Sequence, residues 1–165
     1  MDKIFQKIIN NNFSDLKGTI VDASIPVTEY LINEFIEAAL KGDKNIESCR
    51  VSIHQQNRIN VNLKTILLPW SLNLKLKLDN SVDFASYSSP KIRGWLENNI
   101  LLGRVGSFFN VLPEWVKLYG EQIVLDIGAF FLTAEQKRLL DLVKSVGIRT
   151  EEGKVILDVK IQIDK

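Results

Sequence analysis

The chain has 165 residues, of which 45% are hydrophobic and 25% charged, the composition of a globular protein and not of a disordered or fibrous one. This length suits a single domain over residues 1–165. The formal net charge of +1 gives no global field that would attract nucleic acid. The only cysteine, Cys49, cannot form an internal disulfide, so an oxidising compartment is not required.

The N-terminal region predicts an amphipathic helix and then a strand. Within residues 1–13, "MDKIFQKIINNNF", the apolar residues share one side of a helix. Polar residues interrupt them and no cleavage site of small residues follows, so the segment is not a secretion signal. No stretch approaches the roughly 20 apolar residues that span a bilayer, and we therefore expect a cytoplasmic protein. The next stretch, "GTIVDASIPV", predicts a strand that ends near Pro26.

Two further helices are predicted from capping signals and apolar spacing. The stretch "TEYLINEFIEAALKG" predicts a long helix over residues 28–41, with Thr28 as N-cap and a wide apolar stripe. Its acidic side chains are expected in solvent; they are Glu29, Glu34 and Glu37. A second helix is predicted over 133–146, with an apolar face of Leu139, Leu140, Val143 and Val146 and an end at Gly147. A third helix is predicted over residues 100–112, where apolar residues recur at helical spacing.

Alternating apolar and polar residues predict strands over most of the remaining chain. The stretches "IESCRVSIHQ" and "INVNLK" predict a hairpin, and in "WSLNLKLKLDN" every second residue is apolar. "KIRGWLEN" predicts a short strand, and "EWVKLYGEQIVLDIGAFF" and "RTEEGKVILDVKIQI" predict two more hairpins. Such alternation is typical of an antiparallel sheet with one solvated face. The predicted fold is α+β, a strongly curved antiparallel sheet wrapped around a long amphipathic helix, with additional helices.

The residues that usually carry chemistry are not grouped in this sequence. Cys49 and His54 are five residues apart on a predicted strand, so their side chains point to opposite faces. The carboxylates are scattered over predicted surfaces, and no phosphate-binding glycine motif or serine elbow is present. We therefore predict no catalytic residue, no metal site and no cofactor, and expect that the protein is not an enzyme.

One predicted face is basic over almost thirty residues. Between Arg50 and Leu78 there are five basic residues and no acidic ones: Arg50, Arg58, Lys64, Lys75 and Lys77. All five are predicted to point outward, where plain solvation is the favoured interpretation and an anionic membrane or partner surface the alternative. Base stacking on a sheet needs exposed aromatic side chains, and none is predicted on this face. Nucleic acid is therefore not a predicted partner.

The order of elements resembles the tubular lipid-binding (TULIP) superfamily in its small bacterial single-domain form. The similar stretches are "GTIVDASIPVTEYLINEFI", "NRINVNLKTILLPWSLNLKLKL", "LPEWVKLYGEQIVLDI" and "LLDLVKSVGIRTEEGKVILDVKIQI", a lipid-binding-like body over residues 18–163. The resemblance implies non-enzymatic binding of a lipid or other apolar ligand in a groove between helix and sheet. The alternative is a protein-interaction or assembly module with a filled groove, binding a protein partner or a second copy. Residues in the inward phase would line the groove: Leu31, Phe35, Ile36, Leu72, Leu74, Leu76, Phe108, Phe109 and Leu112.

Overall fold

A computed structural model of the chain describes residues 17–66, 68–83, 90–97, 112, 115–130 and 140–163. Within these ranges the chain forms nine strands, one α-helix and a 3-10 turn at Ile127–Phe130. Every strand pairing is antiparallel. The elements in chain order are β1 (Ile20–Thr28), α1 (Glu29–Leu40), β2 (Ile46–His54), β3 (Arg58–Thr65), β4 (Leu72–Asp83), β5 (Lys91–Leu96), β6 (Val116–Tyr119), β7 (Gln122–Asp126), β8 (Val143–Glu151) and β9 (Lys154–Gln162).

The predicted architecture, a sheet wrapped around a long helix with additional helices, is wrong. The described residues contain a nine-stranded sheet and one helix of 12 residues. At about 1.5 Å per residue that helix is roughly 18 Å long. β4 also has 12 residues, which at about 3.3 Å each extend for roughly 40 Å. A helix of half that length packs on part of the sheet but does not serve as its axis.

The helix predicted over 133–146 is a strand over its last four residues, because β8 begins at Val143. A β-bulge explains the error. The register with β9 shifts between Val143 and Ser145, so one residue is unpaired and Val143 and Val146 are both buried in the core despite their odd spacing. A spacing of three residues is otherwise typical of a helix. Residues 131–139 lie outside the described residues, as do the predicted helices at 1–13 and 100–112 apart from Leu112.

The remaining predicted elements are confirmed, with shifted ends. Thr28 caps α1 by accepting a hydrogen bond from the Leu31 N–H at 3.3 Å. β1 continues through Pro26 to Thr28, where the sequence predicted an end near the proline. Within the described residues β1 pairs with β9 alone, and an edge strand tolerates a residue without an N–H. The three predicted hairpins are β2–β3, β6–β7 and β8–β9.

β4 joins the two halves of the sheet. The order of neighbouring strands is β1-β9-β8-β4-β5-β7-β6, and β3 also pairs with β4, followed by β2. β5 lies along one side of β4, while β3 and then β8 follow each other along the other side. One half of the sheet therefore comes from the two ends of the chain, and the other half comes from its middle.

The core lies on one face of this sheet, as the alternation predicts. Leu72, Leu74, Leu76 and Leu78 are all buried, and the lysines between them are exposed. The main core cluster takes residues from six strands: Val51, Ile53, Ile59, Leu74, Leu76, Leu78, Val82, Leu96, Ile123, Val143, Val146 and Ile148. A smaller cluster of Ile46, Leu63 and Leu72 lies near the start of β2, with Leu40, Cys49, Leu68 and Leu112 packed against it.

A buried amide fills the fork where β3 and β8 meet on the same side of β4. Asn57, in the left-handed region at φ 58°, donates its N–H to the Thr150 hydroxyl at 2.7 Å. Its side chain donates to the Asn80 side-chain oxygen at 2.7 Å and to the Ile148 carbonyl at 3.0 Å. These bonds satisfy the polar groups that the branching of the sheet would otherwise bury unpaired.

Candidate functional site

Polar side chains of α1 hold it against the edge of β2. The Asn33 amide accepts the Val51 N–H at 2.7 Å and donates to the Val51 carbonyl at 2.8 Å. The Glu29 carboxylate accepts the Ile53 N–H at 2.8 Å. Gly153, in the β8–β9 turn, donates to the Ile53 carbonyl at 3.0 Å and accepts the Glu29 N–H at 2.8 Å. The N–H and carbonyl groups of Val51 and Ile53, which point away from β3 at the edge of β2, are therefore hydrogen-bonded without another strand. These bonds fix the position of the helix.

The sequence did not predict the contacts of Asn33 and Glu29 with β2. Glu29 was expected in solvent with Glu34 and Glu37; that holds for the last two, but Glu29 is half-buried against β2. The signal that pointed to the contact is Asn33. An asparagine inside a helix competes for backbone hydrogen bonds and lowers helix stability, so its position within the apolar stripe indicates a polar partner beside the helix.

The apolar stripe of α1 extends beyond the part that the core covers. Ile32 and Ile36 are half-buried and pack against the main core cluster. At about 100° per residue, Phe35 and then Leu31 follow them around the helix on the side turned away from β2. Leu31 is 57% exposed and Phe35 51% exposed. The stripe therefore continues from the core onto the surface.

The inner face of β1 continues the same apolar surface. Val21, Ala23, Ile25 and Val27 pair with the residues of β9 that pack against the main cluster, so they lie on the core side of the sheet. Val21 is 43% exposed and Ile25 47% exposed. Because α1 follows β1 directly and contacts it, the two exposed sets border the same side of the core. We call Val21, Ile25, Leu31 and Phe35 the α1–β1 surface.

The described residues of the predicted groove lie in three different places. Leu74 and Leu76 are in the main core, with Ile36 packed against it. Leu72 is in the smaller cluster, where Leu112 packs against it. Leu31 and Phe35 are exposed on α1. Phe108 and Phe109 lie outside the described residues. The structure thus brings Ile36 together with Leu74 and Leu76, but it separates the buried strand residues from the exposed helix residues.

The outer face of the sheet carries a row of side chains that the sequence did not predict. Register pairs join six residues across six strands in the order His54, Arg58, Lys77, Trp95, Gln122 and Tyr119. Trp95 and Tyr119 are exposed, so the expectation that this basic face carries no aromatic side chain is wrong. The sequence missed the row because β5 and β7 are neighbours in the sheet although they are not consecutive in the chain. Only the low net charge of +1 still counts against nucleic acid as a partner.

Cys49 and His54 are both engaged in structural contacts. Cys49 and His54 lie on opposite faces of β2, as predicted, and burial raises the pKa of the Cys49 thiol to about 11. His54 Nε2 accepts from the Asn60 amide at 2.9 Å, and Nδ1 lies 3.1 Å from the Glu152 carboxylate. A thiol with a raised pKa is a poor nucleophile, so Cys49 acts as a small apolar side chain.

The described depressions lie around β4 and are lined mainly by polar and charged residues. One is lined by Asn57, Asn80, Arg149 and Asp158 among others, and a second by Asp79, Asp83, Arg93 and Lys144 among others. Asp83 pairs with Arg93 and Asp158 with Arg149, and Asp79 accepts a hydrogen bond from Trp95 Nε1 at 3.3 Å. Within the described ranges no three potential metal ligands come together.

Comparison of the chain with family models, with curated proteins and with solved structures gives no match. The resemblance to the tubular lipid-binding superfamily therefore stays a prediction. Among the described residues no helix is long and apolar enough to cross a bilayer.

Proposed function

We propose that the chain binds, without catalysis, an acyl chain or another apolar ligand on the α1–β1 surface. The observation that carries the proposal is that the apolar stripe of α1 runs from the core, at Ile32 and Ile36, onto the surface at Leu31 and Phe35. Large apolar side chains exposed together on neighbouring elements are a typical sign of a binding surface.

The way α1 is anchored supports a preformed site. Asn33 and Glu29 attach one side of the helix to β2, and Gly153 binds its first residue. The helix is therefore held in place before a ligand arrives, and less conformational entropy is lost on binding. Ligand affinity would come from removing the four exposed side chains from water, at about 25 cal/mol per Å² of apolar area.

The chemistry of this surface favours binding over catalysis. All four of its side chains are hydrocarbon, with no nucleophile or proton donor among them. The described carboxylates Asp83 and Asp158, which lie on the outer side of the sheet, are already paired with arginines. A cytoplasmic location is also part of the proposal, and the half-buried free thiol of Cys49 supports it, since reduced thiols persist there.

A fluorescent fatty acid, cis-parinaric acid, tests the proposal directly. We expect the protein to bind this probe, and the double variant Leu31→Ser/Phe35→Ser to bind it at least roughly tenfold more weakly, because two apolar contacts are lost. Tyr30→Ser is the matched control, since Tyr30 is on α1 and 73% exposed but lies off the apolar stripe. Circular dichroism of all variants checks the fold. An absence of probe binding, or equal losses in Tyr30→Ser, would overturn the proposal.

The alternative is a protein-interaction module, and the edge of β1 favours it. Within the described residues β1 pairs only with β9, and a strand at the edge of a sheet can accept a strand of another chain. Light scattering separates the two functions. A drop in apparent mass of the Leu31→Ser/Phe35→Ser variant, with no probe binding by the unmodified protein, would show that the surface joins protein chains.

A further inference from the structure

We propose that a second apolar site, at the opposite end of α1, attaches the protein to an anionic phospholipid bilayer. The site is formed by Ile66, Pro69 and Trp70, which lie between β3 and β4; we call it the β3–β4 tip. Ile66 is 60% exposed and Trp70 is 61% exposed. This inference does not depend on the proposed ligand, because the tip shares no residue with the α1–β1 surface.

The packing of neighbouring residues holds the tip on the surface. Thr65, immediately before it, is buried, and Leu68 packs against the smaller core cluster. The Ile66 N–H donates to the Asn45 carbonyl at 3.0 Å, which ties the tip to the segment that follows α1. Since neighbouring residues are anchored inward, the apolar side chains of Ile66 and Trp70 are held outward and do not collapse onto the core.

Positive charge surrounds the tip. Lys41 and Lys44 are exposed in the segment that Asn45 ties to Ile66, and Lys64 and Arg50 are exposed on the adjoining strands. Three carboxylates are nearby. Asp43 accepts hydrogen bonds from the Asn45 and Ile46 N–H groups, Glu47 pairs with Lys64, and Glu37 is exposed one helical turn before Lys41. Four cations against three carboxylates leave a small excess of positive charge at this end of the molecule.

This combination fits the interface of a bilayer. Tryptophan has an apolar ring and a polar N–H, and it partitions to the level of the lipid head groups. Lysine and arginine beside it reach anionic head groups, and apolar contact plus charge gives stable binding where either alone is marginal. The outer row, the side chains from His54 to Tyr119 across the outer face of the sheet, is the other surface that could bind a bilayer. It carries cations and Trp95, which is 48% exposed.

The experiment uses sedimentation with vesicles of phosphatidylcholine containing phosphatidylserine, and with phosphatidylcholine alone. We expect binding to the anionic vesicles only, weakened by salt. Trp70→Ala should lower the partition coefficient roughly tenfold through loss of apolar contact. Lys41→Gln/Lys44→Gln should also lower it roughly tenfold, since each lysine near a charged surface contributes about fivefold at most. Trp95→Ala is the matched control and should leave binding unchanged.

Every other outcome overturns the proposal. No sedimentation of the unmodified protein, or equal binding to neutral vesicles, rules out an anionic bilayer. A loss in Trp95→Ala in place of Trp70→Ala assigns binding to the outer row. Release of the bound protein by single-stranded polyuridylate would show that the cations bind nucleic acid. A fall in apparent mass for Trp70→Ala would show that the tip joins two copies of the chain. Circular dichroism of each variant confirms that the fold is retained.

Discussion

The two strands that flank α1, β1 and β2, are both nine residues long and both lie at an edge of the described sheet, yet they are completed differently. The outer edge of β2 is satisfied by Asn33, Glu29 and Gly153, and its inward residues Val51 and Ile53 are buried. β1 has exposed apolar residues on its inner face. The difference teaches that side chains of a helix can replace a missing neighbour strand, and that apolar residues without such cover are the ones to examine for function.

The largest expected effect compares isoleucines at inward positions of the two strands. Ile53 on β2 is 1% exposed, so Ile53→Ala leaves a cavity and should lower the free energy of unfolding by about 3.5 kcal/mol. Ile25 on β1 is half exposed, and Ile25→Ala should cost only about 1 kcal/mol. Urea unfolding measures both. Similar losses for the two variants would show that β1 is covered as fully as β2.

A smaller effect tests the amide that completes the edge of β2. Asn33→Ala removes both hydrogen bonds to Val51, and after the higher helix propensity of alanine is allowed for, the free energy of unfolding should fall by about 1.5 kcal/mol. Asn62→Ala is the matched control, because it removes an exposed hydrogen bond to Asn73 and should change stability by less than about 0.5 kcal/mol. If Asn33→Ala changes the free energy of unfolding as little as Asn62→Ala does, the amide does not hold the helix.

The smallest effect is on the pKa of Asp158, which lies on β9 beside Ser24 of β1. The hydroxyl of Ser24 and the guanidinium of Arg149 hold the pKa of the Asp158 carboxyl below its ordinary value of 3.8. A lowered pKa means that Asp158 stabilises the fold above about pH 4 and that this contribution is lost as the pH falls through the folded-state pKa.

Ser24→Ala removes the larger cause, so the pKa of Asp158 should rise towards its ordinary value. A carbon-detected NMR titration of the side-chain carboxyl measures it. Ser52→Ala on β2 is the control and should leave the titration unmoved. A Ser24→Ala titration that matches the unmodified protein would mean that Arg149 alone lowers the pKa.

The sequence was informative wherever a pattern is local. Alternation placed Leu72 to Leu78 in the core, and Thr28 marked the start of α1. It failed where the pattern depends on a partner strand. The bulge next to Val143 gave a strand the spacing of a helix, because the extra residue appears only when β8 is paired with β9.

The candidate site was predictable only in part. Leu31 and Phe35 could be named from the width of the apolar stripe, and the structure places both on the surface. The exposure of Val21 and Ile25 could not be foreseen, because it depends on β1 lying at an edge of the described sheet. Nor could Trp95 be placed beside Lys77, since alternation gives the face of each strand but not the order of the strands.

The pairing of β1 with β9 has a consequence for synthesis of the chain. Ser24 and Asp158 are 134 residues apart, so β1 leaves the ribosome long before the strand that it pairs with. Contacts of such long range form slowly, because a large loop must close first. Through that interval an apolar segment stays exposed to other nascent chains. We therefore expect this protein to depend on chaperones while it is translated, and to lose the order of β1 when β9 is removed.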